Sequence, residues 1–193
     1  MFPGGVRIIA QYMKKSQEVV VNVSDLYGTS RLYWCACTTL VNLKEHSRIL
    51  CRMKSIMQTI VTKLLCNDEL LIQVSSRLLF NLAMAKDLKS KKTLRKTKTV
   101  SLLMQAAMSA LEEDTLKYVL YALHEFDSTE NLKDICAVGG LKFLIKFQSE
   151  ESPFTTDHIC SNILRNIVTK KDILQCYATT FEQPECLKYL LTN

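Results

Sequence analysis

Leu79-Phe80-Asn81-Leu82 decides the reading of this chain, because the phrase returns. A leucine, any residue, a polar residue and a second apolar residue also stand at Leu40-Val41-Asn42-Leu43, Leu123-His124-Glu125-Phe126 and Leu164-Arg165-Asn166-Ile167. The polar slots Asn42, Asn81, Glu125 and Asn166 lie 39, 44 and 41 residues apart. Recurrence at about 20 to 50 residues marks a stacked-repeat architecture, in which each unit buries its apolar face against the next.

Upstream of each slot a second helix is written in the apolar spacing i, i+3, i+4, i+7. The sets are Val6/Ile9/Ala10/Met13, Met57/Ile60/Val61/Leu64 and Val100/Leu103/Met104/Ala107. A fourth, Leu141/Leu144/Ile145, keeps three positions and has Gln148 at the last. That spacing puts the side chains on one helix face, which must be buried. From the start of each set to its slot the distance is 24, 25 and 25 residues in the last three copies. In the first it is 36, which an insertion around residues 16–28 explains.

Punctuation agrees with this division. Asp68 is placed to cap the helix holding Asn81, Asp114 or a neighbour the one holding Glu125, and Thr155 or Thr156 the one holding Asn166. Gly139-Gly140 lies between two helical stretches, where glycine permits φ > 0 and close backbone approach. Gly4-Gly5 opens the first copy in the same way.

The run from Asn131-Leu-Lys-Asp-Ile-Cys-Ala-Val-Gly-Gly-Leu-Lys-Phe-Leu-Ile to Ile163-Leu-Arg-Asn-Ile resembles the armadillo repeat, a three-helix unit of about 42 residues. Ile72-Gln-Val-Ser-Ser-Arg-Leu-Leu-Phe-Asn-Leu-Ala resembles its third helix. HEAT repeats are the nearest competitor, and the Gly-Gly turns with the Asn slots favour armadillo. The expected fold is an all-α, right-handed α-solenoid of about four armadillo-like repeats, forming one domain over residues 1–193. Both ends are expected to cut through a repeat, with residues 187–191 reading as a further second helix.

Composition narrows the class. Hydrophobic residues make up 48% and charged residues 23% of the 193, with only five Gly and three Pro, as suits a helical globular chain. The longest nearly unbroken apolar run, Val100 to Leu111, is too short and too polar to span a bilayer. No signal peptide is visible, so a cytosolic or nuclear setting is expected. The eight cysteines show no C-x-x-C spacing and sit among helical apolar positions, which suits reduced thiols packed as small hydrophobes.

The net charge of +6 is concentrated in the stretch from Lys86 to Lys98, where seven cations face one Asp87 and the rest of the chain is neutral. We expect there an extended loop, or a poorly formed first helix, carrying Lys89, Lys91, Lys92, Arg95, Lys96 and Lys98. A localisation signal, a contact to an anionic surface or a contact to nucleic-acid phosphates are its functional readings. The segment has no aromatics, so base stacking is not supported there.

The resemblance implies a concave groove lined by third helices, where Asn amides hydrogen-bond the main chain of an extended peptide. By that carry-over Asn42, Asn81 and Asn166 form a ladder that Glu125 interrupts, since an ionised carboxylate can only accept. The family's import adaptors carry Trp four residues before the Asn, where this chain has Thr38, Arg77, Tyr121 and Asn162. It is therefore not expected to receive basic localisation signals. Arg77, Lys117 and Arg165 make the groove partly basic and suit an acidic peptide. Trp34, with Tyr27 and Tyr33, reads as core rather than a binding hot spot.

Nothing points to catalysis, a metal or a cofactor: His46, His124 and His158 are dispersed, and His158 and Cys160 at i, i+2 point apart on a helix. The expected role is a non-enzymatic scaffold or adaptor binding a segment of another protein along the third helices. The alternatives are a nucleic-acid-associated solenoid using residues 86–98, or an assembly segment of a larger solenoid. No membrane partner is expected.

Overall fold

The computed structural model describes residues 7–9, 11, 35, 37–40, 47–84, 88–149 and 156–173, with backbone only at 47, 48, 88–91, 149 and 157. Asn42, Gly4-Gly5, Tyr27, Tyr33, Trp34, the 16–28 insertion and residues 187–191 lie outside this set, as does most of the first apolar stripe.

From Ser47 onward, nine α-helices fall into three triplets; the described residues before them, 7–9, 11, 35 and 37–40, are helical as well. The first comprises α1 (Ser47–Arg52), α2 (Lys54–Thr62, running into a 3-10 turn at Lys63–Leu65) and α3 (Glu69–Met84). The second comprises α4 (Leu88–Lys96), α5 (Thr99–Ser109) and α6 (Glu113–His124). The third comprises α7 (Thr129–Ala137), α8 (Gly140–Ser149) and α9 (Asp157–Val168). Like packs on like: α1 on α4, α5 on α8, and the third helices in a row, α3 on α6 and α6 on α9. This is an all-α solenoid, built by stacking.

The recurring phrase now has a physical content. Its two apolar members are three residues apart and so share a helix face. Leu79 and Leu82, Leu123 and Phe126, and Leu164 and Ile167 are all buried. The slots between them, Asn81, Glu125 and Asn166, are half-exposed at the edge of the same face. The three described second-helix stripes are buried as their spacing requires: Met57/Ile60/Val61/Leu64, Val100/Leu103/Met104/Ala107 and Leu141/Leu144/Ile145. Gln148, the polar interruption in the third stripe, is satisfied by donating its Nε2–H to the Ser161 hydroxyl on α9.

The basic segment is a correction. It is not an extended loop: residues 88–96 form α4, a first helix in its proper place. Lys, Arg and Leu are good helix formers, and Leu94 is fully buried against the stack, which anchors a helix that its charge would otherwise oppose.

Capping follows expectation in part. Asp68 Oδ1 accepts the Leu71 N–H at 3.2 Å and so caps α3. Asp114 does not cap α6. The extended residue before that helix is Glu112, which makes no side-chain cap bond, and Asp114 lies inside the first turn with Glu113. There both carboxylates face the positive end of the helix dipole. Thr156 precedes α9 without making a cap bond, because its φ of −94° and ψ of 0° depart from the extended backbone that aims a hydroxyl into the first turn. Thr155 lies outside the described residues. The Gly139-Gly140 turn is as expected, with Gly139 at φ +83°.

The described cysteines are not joined in disulfides, and Cys37, Cys51, Cys136 and Cys160 are buried. Burial pushes the Cys136 thiol up to about 12 and also raises that of Cys66, so neither is a thiolate near neutral pH.

Candidate partner-binding surface on the third helices

Each third helix buries one face in the stack and turns a narrower stripe outward at steps of three and four residues. On α3 the stripe runs through Gln73, Arg77, Phe80, Asn81 and Met84. On α6 it runs through Lys117, Tyr118, Tyr121 and Glu125, and on α9 through His158, Asn162, Arg165 and Asn166. Because the three helices are neighbours, these stripes form one surface. The slots Asn81, Glu125 and Asn166 share it with Arg77, Lys117 and Arg165.

Specific contacts fix the register between α3 and α6. The Arg77 guanidinium lies 5.5 Å from the centroid of the Tyr118 ring. Phe80 and Tyr121 approach with centroids 5.8 Å apart and planes tilted by 45°. Both pairs join residues 41 apart in sequence, so one constant offset serves two rungs. A guanidinium over a tyrosine face is attracted by the ring quadrupole, and tilted aromatic pairs gain beyond their burial. Together they give this part of the surface a preorganised floor of aromatic rings with one cation across it.

Elsewhere the contacts are local. Arg165 reaches the Asn162 Oδ1 at 3.5 Å, one turn back on α9. His124 Nδ1 stands 3.7 Å from Glu125 Oε1. Glu125 is the residue immediately after α6, and both it and Lys117 are half-exposed. At the far end of the helices Glu69 ties adjacent repeats: its Oε1 accepts the Leu111 N–H at 3.0 Å and its carbonyl accepts the Thr115 hydroxyl at 3.4 Å.

The basic residues of α4 are elsewhere. Lys92, Arg95 and Lys96 are exposed along the first-helix row, Lys98 is exposed in the turn after α4, and the side chains of Lys89 and Lys91 lie outside the described set. Arg95 Nη1 pairs with Glu130 Oε2 of α7 at 4.0 Å, in full view of solvent. The two groups of residues singled out in the sequence thus occupy different rows of the solenoid. His158 is exposed and Cys160 buried, which separates them as expected. No cluster of metal-ligating residues occurs among the described residues, and none of their helices is long and apolar enough to cross a membrane.

Sequence reasoning overlooked Phe80 and Tyr118, and noted Tyr121 only as the replacement of a tryptophan. The available signal was the 41-residue offset, which pairs Arg77 with Tyr118 and Phe80 with Tyr121.

Three-helix units stacked first on first and third on third, with a glycine turn between the first and second helices of the last, define an armadillo-type α-solenoid fold. Designed armadillo repeat proteins share the fold. One solved in complex with the peptide (KR)4 superposes with a TM-score of 0.69 at 15% identity, covering 94% of this chain and 78% of that one. Another, computationally designed for modular peptide recognition, gives 0.67 at 14% identity over 94% and 77%. No protein-family model matches the chain.

Among natural proteins, the chain is similar to the adenomatous polyposis coli proteins. It is 34% identical over 201 aligned positions to those of Homo sapiens and of Xenopus laevis, and 32% identical to adenomatous polyposis coli protein 2 of Homo sapiens. Each alignment takes in 98% of this chain, which spans only 7 to 9% of the length of those relatives.

Proposed function

We propose that this protein is a non-enzymatic intracellular scaffold that holds an extended or helical segment of another protein across α3, α6 and α9. The observation that carries the reading is the paired ladder Arg77–Tyr118 and Phe80–Tyr121 beside the slots Asn81 and Glu125. A preorganised floor costs little entropy on binding, and half-exposed aromatics and arginine are the residue types from which binding hot spots are made. The fold is shared with an armadillo repeat protein designed for modular peptide recognition, which suits a peptide-binding role.

The partner segment in this proposal is acidic. The designed protein described above was solved with a basic peptide, whereas this surface carries Arg77, Lys117 and Arg165, so carboxylates on the partner meet cations. Asn81 and Asn166 supply amides that match a peptide's N–H and C=O at once.

The test uses two fluorescent octapeptides of opposite charge, one rich in Glu and the other (KR)4, titrated by anisotropy against the wild type and three variants. The acidic peptide should bind in preference to the basic one. Arg77→Ala with Arg165→Ala should weaken it roughly tenfold, and Asn81→Ala with Asn166→Ala by a similar factor. Preference for (KR)4 would overturn the acidic partner. Loss of acidic-peptide binding only on neutralising Lys92, Arg95 and Lys96 would move the activity to α4. Steep salt-dependent oligonucleotide binding lost in that same variant would favour the nucleic-acid alternative.

A further inference from the structure

The edge where second helices turn into third helices carries large apolar side chains in water. Leu111 is 88% exposed, and Leu65, Leu70 and Met108 are exposed beside it. They belong to one region, because the Glu69 carboxylate bonds the Leu111 N–H and the 63–65 turn packs on α5. Around them stand Asp68, Glu69, Glu112, Glu113 and Asp114. The same junction of the next repeat reads Glu150-Glu151 in the sequence, beyond the described residues. The α4 cations lie at the opposite end of α5, one eleven-residue helix away, or about 16 Å at 1.5 Å per residue.

Four exposed large apolar residues in one place exceed the scattered singles of an ordinary surface. Two copies meeting through this edge would oppose like-charged rims, so a self-complementary dimer is disfavoured. We infer that the edge formed by Leu65, Leu70, Met108 and Leu111 docks a short amphipathic segment of another protein, with apolar residues on one face and Lys or Arg flanking them. The apolar face covers Leu111 and Leu70, and the flanking cations meet Glu112, Asp114 and Asp68. Leu70 stands one turn before Gln73 on α3 and Asp114 one turn before Lys117 on α6, so this edge adjoins the N-terminal ends of the third-helix stripes, and the scaffold would hold two chemically different partner segments side by side.

The probe is a labelled 14-residue helical peptide with Leu at i, i+3, i+4 and i+7 and Lys elsewhere, compared with a Glu-for-Lys counterpart and a scrambled control. Binding to the full chain is followed by anisotropy, with sedimentation to report self-association. The Lys peptide should bind and the other two should not. Leu111→Ser with Met108→Ser should weaken it at least about tenfold, as should Glu112→Gln with Asp114→Asn. These positions are exposed, and circular dichroism should show the fold unchanged. Asn81→Ala with Asn166→Ala should leave the affinity unaltered, which separates this edge from the third-helix surface. Equal binding of the scrambled peptide, indifference to both edge variants, or self-association abolished by Leu111→Ser would each overturn the assignment.

Discussion

Lys98-Thr99 and Gly139-Gly140 are the same turn in consecutive repeats, 41 residues apart, each delivering the chain from a first helix into a second. At both, the first residue is left-handed, with φ 55° at Lys98 and 83° at Gly139. An L-residue pays about 1 to 2 kcal/mol for that conformation, and glycine does not. The second residues differ for another reason. A Cβ on Gly140 would stand 2.7 Å from the Ile135 carbonyl oxygen and 2.7 Å from Met104 Cγ and Sδ. Thr99 keeps its side chain fully buried, with its hydroxyl 2.7 Å from that of Thr97, which also donates to the Leu94 carbonyl at 2.8 Å. The two glycines of one turn are therefore there for different reasons, and the stacking imposes the turn even where neither is present.

The largest effect should come from filling the close approach. Gly140→Val should destabilise the fold by about 3 kcal/mol, since a backbone oxygen cannot step aside as a flexible side chain can. Urea unfolding followed by circular dichroism measures it. An unchanged midpoint would mean that α5, α7 and α8 are less tightly packed at this point than described.

This contrast also explains what could be read beforehand. The Gly-Gly turn was legible because glycine advertises a left-handed residue and a close contact, and the phrase around Asn81 was legible because burial fixes its spacing. Lys98 advertises neither. Helix α4 was hard to read because its leucines, Leu88 and Leu94, are six apart and do not write a helical stripe. Its stability comes from Leu94 entering the stack, a tertiary fact. The start of α6 could be read only to within Asp114 or a neighbour, because three acidic residues in a row, Glu112 to Asp114, suit a helix start equally well, and Glu112, which takes the position, makes no side-chain cap bond. The aromatic ladder joins residues 41 apart, and only the stacking of α3 on α6 brings them together.

A smaller effect follows from exchanging the first residues of the two turns. Gly139→Ala meets no atom within 4 Å, so its cost is conformational alone, about 1 kcal/mol. Lys98→Gly should act in the opposite sense and stabilise by about 0.5 kcal/mol, as relief of the left-handed residue exceeds the extra chain entropy of glycine. Thermal melts of the two variants, side by side, decide it. Destabilisation by Lys98→Gly, as expected of glycine inside an ordinary helix, would show that the turn is not strained.

The smallest effect concerns the contact that links the first helices of these two repeats, Arg95 on α4 with Glu130 on α7. The Glu130 carboxyl is held below the ordinary glutamate range, first by hydrogen bonding to its own backbone N–H at the start of α7 and next by the Arg95 charge. A lowered carboxyl value in the folded state favours the ionised form. Its contribution to stability is therefore present above the unfolded glutamate value and is lost as pH falls through the lowered folded value. Both partners are more than half exposed, so water and salt screen the pair, and thermal stability at neutral pH should scarcely change when it is removed. The informative readout is the carboxyl resonance of Glu130 against pH. Arg95→Gln should raise its midpoint without restoring the ordinary value, because the backbone contact survives. Added salt should reproduce part of that rise in the wild type and little of it in the variant. A midpoint indifferent to both changes would leave α4 and α7 joined by packing alone, and the two turns would then be electrostatically independent.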